Sequence, residues 1–444
     1  MVFSFGLEGL DAISFGCPHL ELSFKRTNKL FIPVSVDVVL NDMYATIRLF
    51  IVNILDMSQS KKIIAYINLA HFIDHYAMLI FAAAVIVIAP TFNMSYGELL
   101  PYATPGFIAF GAGSLLTGWL GDKWSRRNMM AIFFFGMGLT LLGVSFIQTP
   151  LQLGIMLLLI GMIASIYHPV GTAMLVANAE KLGKEMGING VWGNVGVASS
   201  ALITGVITQY FGWRIAFLVP AVVCLVVGFL YLRSIPRSAD QIVKKSSAGS
   251  ARVSKSVMIW VVASLIITVI ASSTTFNAIT VALPKLFQER LSNLTANTAT
   301  LGIITFFVYL SGALAQYIIG NLLDKYSLKN VFLPLAIVIV PTLYLASTIS
   351  DYWLIVLAIV IIVAIFGQVT VNDTMLGKYT ADEWRGRAYA ARYFLGFTAA
   401  GLSVGLVSIL YNQGGFDLML KAIAGLSLLT VIGAIIFPKE DGAG

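Results

Sequence analysis

Long apolar runs without a single charge constrain this chain more than any other feature. Ala131–Ile147, Leu151–Ile166, Val219–Leu232 and Leu354–Phe366 contain no Asp, Glu, Lys or Arg. A helix needs roughly 20 mostly apolar residues to cross a ~30 Å hydrocarbon layer, and each run is of that order once its ends are included. Composition closes the alternative. Only 11% of the 444 residues are charged, against about a quarter in a soluble domain, too few to cover a water-facing surface. The fold class is therefore all-α and integral to a membrane. Spans are expected near 63–89, 99–121, 128–147, 152–176, 186–210 and 213–233, then 257–284, 297–322, 330–349, 352–376, 385–411 and 417–437.

The formal charge of +7 does not point to nucleic acid, because of where the charges fall. Lys61/Lys62, Lys123/Arg126/Arg127, Lys181/Lys184, the run Arg233 to Lys255, Lys325/Lys329 and Lys378/Arg385/Arg387 occupy loops on alternate sides. Loops rich in Lys and Arg stay in the cytoplasm. Both termini and the central loop are thus expected there, in a cell inner membrane. Arg214, Lys285, Arg290 and Lys421 are exceptions to the pattern.

The expected organisation is an N-terminal cytoplasmic extension over 1–60, a six-helix bundle over 61–233 and a linker over 234–256. A second bundle over 257–438 and a tail over 439–444 complete it. The extension mixes apolar and charged residues, and its best apolar run, Phe31–Val36, meets Asp37 long before it spans. Translation beginning at Met57 is the simpler account of that segment. The linker is rich in Ser, Lys and Arg, as solvated boundaries are. Cys17 and Cys224 cannot make a disulfide framework, and neither they nor the four histidines show ligand-type spacing. No metal site and no cofactor are expected.

A repeat ties the halves together. Gly118-Trp-Leu-Gly-Asp122-Lys-Trp-Ser-Arg126-Arg127 follows the second span, and Gly320-Asn-Leu-Leu-Asp324-Lys-Tyr-Ser-Leu-Lys329 follows the eighth, at an offset of 202 residues (122 to 324). Equivalent points of two six-span halves mark internal duplication. The glycines permit close helix approach; Asp122 and Asp324 suit a helix N-terminus or a basic partner, and Arg126 and Arg127 can pair with acids or lipid phosphates.

With these residues the sequence resembles the major facilitator superfamily, whose loop between helices two and three has this glycine–aspartate–basic form. The resemblance covers residues 60–437. It implies two six-helix bundles around a central cavity, rocking between outward-open and inward-open states. It further implies that Gly118, Asp122, Arg126, Arg127, Gly320 and Asp324 latch the halves together.

A narrower resemblance is to the fosmidomycin-resistance-type branch. It rests on Tyr167-His168-Pro169-Val-Gly171, on Gly190-Val-Trp-Gly193-Asn194-Val-Gly196, and on Asn68-Leu-Ala-His71-Phe-Ile-Asp74. Val170 stands where that branch often carries Glu, and Ser199-Ser200-Ala201 replaces the Gly-Pro pair usual in drug antiporters.

An ionisable side chain at bilayer depth costs from ~2.5 kcal/mol upward, so each one marks a candidate site. His71, Asp74 and His75 stand at i, i+3 and i+4 and share one helix face, which Asn68 extends. In the fold implied, His168 lies opposite. Histidine titrates near neutrality, so this set is the candidate for carrying a coupling proton or binding a charged substrate group. The alternative is a static pair between His71 and Asp74. The second half offers Asn372 and Asp373, with Arg392 about two turns into its helix. Arg392 is read either as a partner for an anionic substrate group or as the structural partner of Asp373. Asn194 completes the proposed path. The hydroxyl run Ser272–Thr275 ahead of Pro284 is read as satisfying backbone freed by a kink.

The function that fits is a secondary carrier: a monomer in the lipid bilayer that couples protons to movement of a small organic solute, as a drug or metabolite exporter. No Gly-x-x-x-x-Gly-Lys-Ser/Thr loop is present for ATP. A membrane enzyme built on His71/Asp74/His75, or a transport-dead sensor that keeps the fold, leaves the duplicated loop unexplained.

Overall fold

A computed structural model describes residues 2–5, 30–33, 58–237, 255–292, 294, 297–380 and 382–438. The chain divides into two compact units, Met1–Lys62 and Ile63–Gly444. In the first, β1 (Val2–Phe5) pairs antiparallel with β2 (Leu30–Pro33), with Val2 opposite Pro33 and Phe5 opposite Leu30. Most of the expected extension, the heart of the linker (238–254) and the tail lie outside the described residues.

The second unit is helical. Its spans are α1 (Gln59–Thr91), α2 (Thr104–Lys123), α3 (Arg126–Phe146), α4 (Pro150–Asn178), α5 (Leu182–Phe211) and α6 (Trp213–Ser234). The second half comprises α7 (Lys255–Arg290), α8 (Thr298–Leu323), α9 (Leu328–Ala346) and α10 (Trp353–Tyr379). Among the described residues eleven helices are long and apolar enough to cross a membrane, the last counted as one run of 46 residues over Ala391–Ile436. At ~1.5 Å per residue that run would measure about 70 Å, more than twice a hydrocarbon layer. It is two spans. Gly414 and Gly415 leave helical geometry, and Gly415 has φ +61°, a conformation that favours glycine. We call the parts α11 (382–413) and α12 (416–436), which makes twelve.

Helix starts follow ordinary capping chemistry. Ser125, Thr149, Asn297 and Ser327 each accept a hydrogen bond from the backbone N–H three residues on. Helix ends are held by basic residues. Arg127 donates to the carbonyls of Leu232 (3.0 Å) and Ile235 (2.7 Å) at the end of α6. Lys329, its counterpart at the 202-residue offset, donates to Ile435 (2.5 Å) and Phe437 (2.7 Å) at the end of α12. At the other end of the molecule Arg214 caps α3 through Ser145 and Ile147, and Arg290 caps α9 through Ala346, Ser347 and Ile349. These contacts explain two of the four misplaced cations: a guanidinium suits the negative end of a helix.

Two prolines inside helices are compensated in the same way. Pro169 has no N–H for the carbonyl of Ser165, and α4 widens there into a π turn over Tyr167–Gly171. The freed Ser165 carbonyl accepts from the Thr117 hydroxyl of α2 at 2.8 Å. In α7, Pro284 frees the carbonyl of Thr280, which accepts from the Tyr309 hydroxyl of α8 at 2.5 Å. This corrects the reading of Ser272–Thr275. Thr274 and Thr275 bond back to Ile270 and Ala271 of their own helix, and a tyrosine from the neighbouring helix does the work at the kink.

Candidate functional site

The halves meet along two seams, α2 with α11 and α5 with α8. At the end away from Lys123 and Lys329 both seams are tight. A Cβ at Gly97 would overlap the Asn412 side chain, one at Gly111 would stand 2.6 Å from the backbone of Thr398, and one at Gly401 2.6 Å from that of Ile108. Gly302 and Ala201 approach equally closely. The Ser408 hydroxyl donates to the Gly97 carbonyl at 2.6 Å. Toward the basic end α5 and α8 separate: a Cβ at Gly187, Gly190 or Gly320 would meet nothing within 4 Å. The Asn194 amide still bridges to Gln316 Oε1 at 2.5 Å.

The histidine–aspartate cluster lies inside this framework. α1 presents His71, Asp74 and His75, and the π turn of α4 swings His168 onto them. The rings of His71 and His75 are 4.9 Å apart, and each lies 5.5 Å from that of His168. His168 Nε2 stands 3.7 Å from Asp74 Oδ2. Asp74 is wholly buried, and neither of its oxygens has a hydrogen-bond partner among the described residues. His71 is fixed by a different residue: its Nδ1–H donates to the Asn189 carbonyl of α5 at 2.7 Å, and its ring stacks on Tyr167 at 4.6 Å. The Asn189 side chain accepts from the Tyr167 hydroxyl (3.0 Å) and donates to Asn68 (2.9 Å). The alternative of a static pair between His71 and Asp74 is not formed: Asp74 lies against His168, and His71 bonds Asn189.

His168 also reaches the other half. Its ring is 4.9 Å from Phe397 and 5.3 Å from Tyr393 of α11, and Phe110 of α2 packs between them. Arg392, beside Tyr393, pairs with Asp373 of α10 at 2.8 Å and lies with its guanidinium 5.4 Å from the Tyr393 ring. Of the two readings of Arg392, the structural partner of Asp373 is the one formed here. Asn372 is buried in a neutral network, accepting from Thr268 (3.0 Å) and donating to Ser272 (3.1 Å).

The two copies of the duplicated loop differ in their surroundings. Gly118 does sit close to a neighbour, 3.0 Å from Pro169, but Gly320 is open. Asp122 is exposed and pairs with Arg126 of its own half at 2.6 Å. Arg127 is buried and caps the end of α6. Asp324 is exposed at the end of α8. His71, His75 and His168 place ligand atoms within 4.8 Å of one another, a gathering that spacing along the sequence does not display. Asn189, Tyr393, Phe397 and Phe110 were missed by sequence reasoning. The available signal was a second Asn in the fifth helix, at Asn189, five residues before Asn194.

Two repeated six-helix halves with charged side chains facing an internal seam define a multi-pass membrane protein of the two-bundle type. The family model described as Major Facilitator Superfamily matches residues 67–294 and 265–443, and the chain belongs to that superfamily. The multidrug resistance protein MdtG of Yersinia enterocolitica is 30% identical over 135 residues, covering 30% of this chain and 32% of that one. The puromycin resistance protein pur8 of Streptomyces alboniger is 32% identical over 133 residues, 29% of this chain and 26% of that one. The aligned stretch thus spans about a third or less of these relatives. A solved structure of a bacterial homologue of the human lysosomal transporter Spinster, inward-facing and occupied, has the same fold. Its TM-score is 0.70 at 10% identity, over 86% of this chain and 97% of that one.

Proposed function

We propose that the chain is a secondary active transporter that moves a small organic solute by alternating access. One observation carries the reading: the seams between the halves are closed to backbone contact at one end, while α5 and α8 part at the other. Glycines stand where the closed seams are tightest, so the contacts rest on small residues that can separate without repacking large side chains. The polar groups that face the interior lie between the closed and open ends, where a bound solute would be exposed to one side at a time.

In this reading the driving ion is a proton, carried on Asp74 with His168 as its exchange partner. A wholly buried acid with one ionisable neighbour at 3.7 Å is costly unless its charge state matters. Asn194 contributes a polar contact to the solute, while Arg392 stays paired with Asp373 and Asn372 with the hydroxyls of α7. The cargo is a drug-like compound or metabolite, moved outward. The names of the partial relatives and the likeness of 167–171 and 190–196 to the fosmidomycin-resistance-type branch support this. The protein works as a monomer in the cell inner membrane with both termini in the cytoplasm, as the placement of Lys and Arg favours.

Reconstitution into vesicles with an imposed pH gradient tests the reading. Gradient-driven flux of at least one compound from a panel of drugs and metabolites is expected. Correctly folded protein that moves none of the panel in either direction would overturn it.

A further inference from the structure

We propose that His71, His75 and His168, with Asp74 beside them, form a binding site for a divalent first-row transition cation of the Zn²⁺ type. The site shares Asp74 and His168 with the proton pair proposed above, and its test reads binding of the cation rather than transport.

Three imidazole nitrogens lie within 4.8 Å of one another, drawn from two helices about a hundred residues apart in sequence. Imidazole is the ligand type shared by Zn²⁺, Cu²⁺ and Ni²⁺ sites, and hard cations such as Mg²⁺ and Ca²⁺ prefer oxygen. The orientation of one ligand is already set. A backbone carbonyl can only accept, so His71 Nδ1 carries the proton it gives to Asn189, and the lone pair of the neutral ring is on Nε2. An outer partner that fixes the tautomer in this way is a regular companion of metal-bound histidine. Space is kept at that atom as well: a Cβ on Gly193 of α5 would stand 2.5 Å from His71 Nε2, a position only glycine leaves clear.

The second observation is independent of the rings. Both oxygens of Asp74 and Nε2 of His168 are buried without a hydrogen-bond partner, though they lie 3.7 Å apart. Such atoms are rare in folded proteins, and an unseen ion is one of the few things that satisfies them. A cation there would be ligated by the three neutral imidazole nitrogens, and the Asp74 carboxylate, 3.7 Å from His168 Nε2 but outside that mutual set, would supply a nearby negative charge. Tetrahedral zinc at ~2.0–2.1 Å from nitrogen places its ligands roughly 3.3 Å apart. The cluster must close by about 1.5 Å, a change within reach of χ rotation of His75 and His168 while His71 stays held by Asn189. The charges around the site are compatible. Asp74 supplies an anion, the Arg392 charge opposite is already held by Asp373 at 2.8 Å, and Tyr167, Asn189 and Tyr393 are neutral.

The test is titration of the tag-free, full-length purified protein with Zn²⁺ alone by calorimetry, and with Co²⁺ alone by visible absorption. One equivalent of Zn²⁺ with micromolar or tighter Kd is expected, and an intense Co²⁺ band typical of four-coordination. His75→Gln should weaken binding at least tenfold. His75 has no hydrogen bond to lose, so it should fold, as gel filtration and tryptophan emission would verify. Asp74→Asn should weaken binding less than His75→Gln but alter the Co²⁺ spectrum. His19→Gln, outside the described residues, should change nothing. Absence of stoichiometric binding, binding unaffected by His75→Gln, or binding abolished by His19→Gln would each overturn the proposal.

Discussion

The α1–α4 contact of the first half and the α7–α10 contact of the second occupy equivalent places, yet they are built from opposite materials. In the first, four ionisable side chains crowd together, and Asp74 has no hydrogen bond. In the second, the corresponding region of α10 carries Asn372, two residues beyond the 202-residue equivalent of His168. It is fully engaged by two hydroxyls of α7, Thr268 and Ser272. A satisfied neutral network fixes one arrangement of two helices. An unsatisfied ionisable one is tolerable only if its protonation or a bound ion changes during function. Duplication supplied the same frame twice, and the halves have divided the labour: one holds, the other responds.

The largest expected effect breaks the responsive side. Asp74→Asn should abolish pH-gradient-driven transport while the protein stays folded and membrane-inserted, because the amide keeps the shape and removes a buried charge that has no bond to lose. Flux measured in vesicles decides it, and unchanged flux would remove the coupling role. Solute counterflow without a gradient should survive, which separates coupling from cargo binding.

The next effect concerns the Asp373–Arg392 pair. Asp373→Asn leaves a largely buried guanidinium facing an amide. The loss should be about 2 kcal/mol, below the 3–5 kcal/mol typical of a fully buried pair because Asp373 is 38% exposed. The double variant Asp373→Asn/Arg392→Gln should recover most of the thermal midpoint. If the single variant is as stable as the parent, the pair is not structural, and Arg392 returns to the cargo site as a free cation.

On the neutral side, Asn372→Ala removes two buried hydrogen bonds, leaving the Thr268 hydroxyl its bond to the Leu265 carbonyl and Ser272 without its amide donor, a loss of about 1–2 kcal/mol. It should lower the thermal midpoint without changing the pH dependence of transport. A changed pH profile would mean that both halves respond, and the division drawn above would fail.

How much of this was legible in sequence depends on the distance over which each feature is determined. The spans were, since hydrophobic length is local, and so was the split at Gly414–Gly415, which falls between the expected eleventh and twelfth spans. His71, Asp74 and His75 could be grouped because helical spacing groups them. The partner of Asp74 could not, because the Pro169 π turn rotates His168 by an amount that depends on Thr117 of another helix. Asn189 was hidden for the same reason: its value lies in a carbonyl directed at α1. Arg127 and Lys329 were read as surface charges, and only the endings of α6 and α12 reveal them as caps.

The smallest effect tests the repeated loop, where the halves again differ. Asp122 is paired with Arg126 one turn on, whereas the equivalent of Arg126 after Asp324 is Leu328, which has no charge to offer. An exposed i,i+4 pair is worth only a few tenths of a kcal/mol. Asp122→Asn should therefore leave the thermal midpoint within error. If the loop latches the alternate state, in which the basic end closes, the same change should still slow turnover several-fold with little change in apparent affinity, because it acts on the state opposite to this one. Asp324→Asn, with no local partner to release, should slow it less. Equal slowing by both would mean that the loops act as a symmetric pair. A pure affinity loss from Asp122→Asn would place that carboxylate on the path of the cargo and end its assignment as a latch.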